Sequence, residues 1–277
     1  MGMMIAATGA LKAGYDSPVL YRGAYKEIIP KLSADGYKAV ELHILDSDEI
    51  DRQELWRLLE QNDVRLTSIG TGSVYEAKGI NLGDRDRLVR QQAIRHLESH
   101  MVTAEPSHAL IIVGLIAGRY RDAGLAEGFQ KNLTESLYDL DGLAKKHDVR
   151  IGFEIMNSYE SDFLTTIDAG IQYLQEQTFE RICLHLDSLH MNIEETDIGA
   201  AIRRAGKLVG HVHIADNDGW YPGHGHINFR EILQALYEIG YDGTLALETY
   251  NRPDTQTSAR RGLNFLSFLL EEIEGKK

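Results

Sequence analysis

Four side chains able to bind a metal or move a proton stand at the ends of four successive apolar runs. Glu154 follows "RIGF", Asp187 follows "ICLHL", His213 follows "LVGHV" and Glu248 follows "TLAL". One acidic residue at such a place is ordinary, since it can cap a helix or face water, and a lone histidine is commonly just hydrogen-bonded. Four of them at regular spacing are a different matter. Three carboxylates that converge repel one another and drive protonation. A divalent cation with an imidazole beside it removes that conflict. Oxygen-rich ligation with one imidazole suits Mn²⁺ first, with Mg²⁺ or Co²⁺ as substitutes, and the lack of a cysteine ligand argues against structural zinc.

Whether they converge depends on the elements that carry them. Strand-like runs occupy 4–9, 39–45, 64–70, 109–115, 150–155, 182–187, 208–215 and 244–249, with amphipathic helical patterns such as 51–62, 84–102, 132–147, 229–240 and about 258–274 between them. Strands alternating with helices imply parallel βαβ units. Eight units in a chain of 277 residues match a single (β/α)8 TIM barrel, whose active sites lie at the C-terminal rim of the strands. A doubly wound sheet is the competing arrangement, but no glycine-rich dinucleotide fingerprint follows the first strand. No linker or low-complexity tract divides the chain, so residues 1–277 read as one domain.

Successive strand residues point to opposite faces. Glu154 shares a face with Gly152, Asp187 with His185 and Cys183, His213 with His211, and Glu248 with Ala246 and Thr244. The alternate positions are bulky and apolar and belong against the helices. All four candidate ligands therefore face the barrel interior at the same rim.

Composition narrows the classes. A formal charge of −13 lacks the basic footprint needed to hold nucleic acid. No apolar run reaches the ~20 residues that span a bilayer, and "MGMMIAATGALK" reads as a first strand, not a signal peptide. Cys183 is the only cysteine, which excludes an intrachain disulfide and points to a reducing, cytoplasmic setting.

The stretches "FEIMNSYE", "LHLDSLHMNIEE", "GHVHIADND" and "PGHGHINFREILQALYEIGYDGTLALE" resemble the xylose isomerase-like TIM barrels, and within them the ketose 3-epimerases of the tagatose and psicose (allulose) type. The specific motifs lie within 154–248, notably Glu154, Asn157 and Glu160 in E-x-x-N-x-x-E, and "HMNIEE". The resemblance implies that Glu154, Asp187, His213 and Glu248 bind the metal. It implies that Glu154 and Glu248 act as acid and base from opposite faces of a sugar, and that Glu160 and His190 hold hydroxyls near C1 and C2. It further implies a homo-oligomer, dimer or tetramer. The chemistry is coherent: epimerisation beside a carbonyl removes a proton and returns it on the other face, through an enediolate that a cation stabilises.

One departure bears on substrate. Ketose 3-epimerases place an arginine in the loop after the metal histidine, where this chain has Gly219, flanked by Asp218 and Trp220. Trp220, Tyr221 and His224 are candidates to shape a different pocket, or simply to form a folded lid. Glu41 and His43, ending the second strand, could face the mouth or serve as plain hydrogen-bonding or capping groups. "GTGS" at 70–73 reads as a flexible turn, not a phosphate loop. Glu194 and Glu195 read as opening the next helix. The alternatives to an epimerase are a dehydratase of the inosose or dehydroshikimate kind, a hydroxypyruvate or sugar-phosphate isomerase, an apurinic-site nuclease and a non-catalytic ligand-binding barrel.

Overall fold

A computed structural model describes residues 2–14 and 16–275. The barrel strands are β1 (Met4–Ala10), β2 (Ala39–His43), β3 (Arg65–Gly70), β4 (Leu110–Val113), β5 (Ile151–Glu154), β6 (Ile182–Asp187), β7 (Val209–Ile214) and β8 (Thr244–Leu247). Each pairs in parallel with the next, and β8 pairs with β1, from Met4 against Thr244 to Ala7 against Leu247. The sheet thus closes into a (β/α)8 barrel. A two-residue extension, Tyr21–Arg22, adds to the end of β1.

The faces sort by the chemistry of alternate residues. Val40, Leu42, Ile111, Phe153, Leu184, Val212 and Leu247 join the apolar shell shared with the helices, where full burial of such side chains stabilises by about 1.5–3 kcal/mol each. The lumen is packed by small or slender groups: Ala6, Ala39 and Ala246 in one cluster, Leu110, Ile112 and Cys183 in another.

Two bulges adjust which residues look inward. Between β2 and β3 the register passes from Val40–Leu66 to Glu41–Ser68, skipping Thr67. Leu66 therefore packs outward, while Ser68 turns to the lumen and bonds Glu41. Between β6 and β7 it passes from Leu184–Val209 to His185–His211, skipping Gly210. A bulge re-aims the side chains beyond it, and here those are His211 and His213.

Helices around the barrel start where short polar side chains satisfy free backbone N–H groups. Asp51 caps Arg52–Gln61, Asp86 caps Arg87–Ala104, Asp197 caps Ile198–Ala205 and Asp254 caps Thr255–Ile273. Glu194 and Glu195 do not open a helix, contrary to expectation. They end Ser188–Glu194, and each accepts a backbone N–H, from Ser158 and from Ile167 respectively, at 2.7 Å. Among the described residues, no helix is long and apolar enough to cross a membrane.

Candidate active site

Strand ends β5 to β8 deliver the four sequence-selected residues to one place. Glu154 and Asp187 are the last residues of β5 and β6, His213 is the penultimate residue of β7, and Glu248 directly follows β8. One donor atom from each lies within 4.8 Å of the others. His213 Nδ1 is 3.0 Å from Glu248 Oε2, 3.7 Å from Asp187 Oδ2 and 4.0 Å from Glu154 Oε1. That nitrogen is buried and makes no hydrogen bond.

Each side chain is held by its neighbourhood. Asp187 is also a helix cap, its Oδ1 accepting from the N–H groups of Leu189 (2.6 Å) and His190 (3.1 Å), so Oδ2 is the oxygen left for the site. Ser188 ties the ends of β6 and β7 together, donating to Ala215 O at 2.7 Å and accepting from Ala215 N at 2.8 Å. Gly114, just past β4, leaves room for Glu154: a Cβ there would collide with Glu154 Oε2.

Beneath this rim lies a polar layer. Glu41 is fully buried. Its Oε1 accepts from His43 Nε2 (2.8 Å) and His213 Nε2 (2.9 Å), and its Oε2 accepts from Ser68 (2.6 Å) and His211 Nε2 (2.8 Å). His185 packs edge-on against His213, ring centroids 4.1 Å apart.

Burial and charge separate the titrations. Burial pushes Glu154 up to about 7, with Glu248 and Asp187 adding to the rise against the pull of His213. Burial acts upward on Glu248, but His213 and His43 together outweigh it and lower this carboxyl. For His213, burial alone would favour the neutral form; Glu248 and Glu41 reverse that and raise it well above the usual imidazole range. Burial likewise opposes ionisation of Glu41, and its histidine neighbours hold it well below the usual carboxylate range.

The donor set fits a divalent cation. Three carboxylates crowd around an imidazole nitrogen that lacks a hydrogen-bond partner, and among the described residues no lysine or arginine is bonded to any of the four. Such a set can share one cation.

A cavity of about 1120 Å³ opens over the rim, and its wall includes Glu154, Asp187, His213 and Glu248. The family model described as xylose isomerase-like TIM barrel matches residues 29–269. The chain belongs to that family. It is 33% identical to the D-psicose 3-epimerase of Ruminiclostridium cellulolyticum over 235 residues, 82% of this chain and 79% of that one. It is 30% identical to the 3-dehydro-D-guloside 4-epimerase of Escherichia coli over 135 residues, 49% of this chain and 52% of that one. The solved D-psicose 3-epimerase with D-tagatose from Clostridium cellulolyticum superposes with a TM-score of 0.82 at 24% identity, covering 97% of this chain and 99% of that one.

In this xylose isomerase-like barrel, Glu160 and His190 also line the cavity. Asn157 explains part of the E-x-x-N-x-x-E spacing. Its Nδ2 donates to His190 Nδ1 at 2.7 Å, and its Oδ1 accepts from Tyr159 N at 2.9 Å. His190 Nε2 is thereby turned toward Glu154 Oε1, 3.8 Å away.

Trp220 and His224 are not in the described cavity wall. They stack on each other with centroids 4.2 Å apart, and His224 bonds Asp218 at 2.7 Å. Gly219 does reach the cavity, with φ +74°, and a Cβ there would lie 2.5 Å from the Tyr250 ring. Any larger side chain at this position would meet that ring.

Sequence reasoning left Glu41 and His43 undecided, and parity applied to β2 would have turned both inward. The "GTGS" turn is also cavity wall, since Thr71, Gly72 and Ser73 line it. The segment after β1, including Leu11, Ser17 and Val19, also forms wall. No alternation or motif marks it.

Proposed function

We propose that the chain is a divalent-metal-dependent sugar epimerase that inverts C3 of a ketose. The observation that carries this reading is the convergence of Glu154, Asp187, His213 and Glu248 at one rim of a family barrel. The sequence relationship to the D-psicose 3-epimerase supports it. Glu154, Asp187, His213 and Glu248 would hold the ion, with Mn²⁺ as the native choice on donor chemistry. When bound, it would stabilise negative charge developing on the substrate oxygens.

The chain's own residues supply the proton movements. Glu248, whose pKa is lowered, is ionised at neutral pH and suited to remove the proton from C3. Glu154, raised to about 7 without a cation, is the readier of the two to take up a proton and return it to the opposite face. Two carboxyls whose environments push their titrations apart make an acid and base pair. Their roles exchange in the reverse direction. Glu160 and His190, which line the cavity, would hold hydroxyls at the C1 and C2 end.

A panel of free ketoses incubated with the Mn²⁺-loaded protein tests the assignment by chromatography. Formation of a C3 epimer is the expected product. Recovery of a dehydrated sugar would reassign the chain to the lyases, and an aldose product to the isomerases.

A larger keto-sugar is a second reading, favoured by the cavity of about 1120 Å³. That exceeds the roughly 300–1,000 Å³ typical of pockets for drug-sized ligands, and a free hexose is smaller than those. Including a 3-keto-glycoside in the panel separates the two readings. The family resemblance also supports a homo-oligomer, dimer or tetramer, which sedimentation velocity checks.

A further inference from the structure

We propose that Glu41 is a positioning residue whose buried carboxylate locks His213 with Nδ1 presented to the rim carboxylates. This rests on the metal-site reading above. Glu41 is 0% exposed on the inner face of β2. A carboxylate provides about four acceptor sites, and the four donors around it are Ser68 and the Nε2 atoms of His43, His211 and His213. No lysine or arginine is among those partners. Burying a carboxylate without a permanent cation costs more than burying an amide or an apolar group of the same shape.

The consequence lies in tautomers. An acceptor-only group at Nε2 requires the proton of each imidazole to sit on that nitrogen. When His213 gives up its second proton, Nδ1 is therefore the atom left with a bare lone pair, and it faces Glu248, Asp187 and Glu154. The partner of the second ring nitrogen commonly fixes which nitrogen ligates a metal and in what orientation. His43 is oriented by the same carboxylate. Its Nε2 lies 2.8 Å from Glu41 Oε1 and 3.7 Å from Glu248 Oε1, and Gly70 makes its place possible, since a Cβ there would sit 2.8 Å from the ring.

Glu41→Gln keeps the shape and removes this control. Glutamine accepts through one oxygen and donates through its nitrogen, so it opposes the Nε2–H of at least one histidine. Relief of that clash moves a histidine proton to Nδ1. Metal binding by the full-length chain is measured by electron paramagnetic resonance of free Mn²⁺, for wild type, Glu41→Gln, Glu41→Asp and Asp187→Asn. We expect Glu41→Gln to weaken Mn²⁺ binding roughly 10–100-fold and Glu41→Asp to recover part of the loss.

A second measurement needs no variant at position 41. Long-range ¹H–¹⁵N NMR of the Zn²⁺-loaded wild type should show the His213 proton on Nε2, with the signal assigned by its loss in His213→Gln. Mn²⁺ affinity of Glu41→Gln within twofold of wild type, or a His213 proton on Nδ1, overturns the proposal. If Asp187→Asn weakens binding while Glu41→Gln does not, Glu41 alone is misassigned. If wild type fails to bind Mn²⁺, or Asp187→Asn binds as wild type does, the metal site itself is wrong and the role of Glu41 falls with it.

Discussion

Asp187 does two things at once, one with each oxygen. Oδ1 caps the helix Ser188–Glu194, while Oδ2 turns toward His213. Asparagine can still cap through its oxygen but brings no charge. Asp187→Asn should therefore keep its melting temperature close to that of wild type while losing at least about tenfold in Mn²⁺ affinity. Calorimetry and metal titration on the same preparation check both halves. Glu154→Gln and Glu248→Gln should each lower kcat by about 10²–10⁴-fold, the usual contribution of a positioned acid or base, with an unchanged circular dichroism spectrum. Near wild-type turnover in either would remove the two-carboxylate scheme. The pH dependence follows from the same groups. Glu154 holds its proton below about 7, and His213 holds its own above the usual imidazole range. A cation must displace both, so Mn²⁺ affinity should rise from pH 6 to pH 8 with release of protons. Titration calorimetry in two buffers of different ionisation enthalpy counts them, and a flat affinity would contradict the assigned donors.

At the scale of elements, the ends of β5 to β8 matter more than their lengths. Alternation of bulky and small residues was enough to place Glu154, Asp187, His213 and Glu248 on the lumen side, because the strand period is two and the outer face must be apolar. Glu41 was harder to read. A single carboxylate between Val40 and Leu42 looks like any strand-end cap, and two of its partners, His211 and His213, lie 170 and 172 residues away in sequence. Bulges at Thr67 and Gly210 were not legible either, since they arise from how neighbouring strands register. The loop from Asp216 to Asn228 shows the same limit: an aromatic and a histidine looked fit for a pocket, yet Trp220 and His224 satisfy each other. Gly114 gives an element-scale test. An added methyl would displace Glu154, and misplacement by about 1 Å can cost roughly 100-fold in rate. Gly114→Ala should therefore lose most activity, measured as initial rate with Mn²⁺, while the barrel still forms.

For the molecule as a whole, eight strand–helix repeats closed as the chain's periodicity implied, with β8 meeting β1. Closure puts residues from β2 and β7 across one lumen, which is why a site with specific motifs in 154–248 also depends on Glu41 and on walls built from the first loop. Metal binding should stabilise this whole unit, because the donors meet only in the folded barrel. Mn²⁺ at about 100 times its Kd adds about 2.7 kcal/mol, a rise of roughly 5–10 °C in melting temperature, reversed by a chelator. Epimerisation itself is tested most directly by running the Mn²⁺-loaded enzyme on a ketose in D₂O and locating the label by NMR. Proton exchange through Glu154 and Glu248 predicts deuterium at C3 of both epimers, absent in Glu248→Gln. Exchange at C1 alone, loss of water, or conversion without deuterium would contradict it.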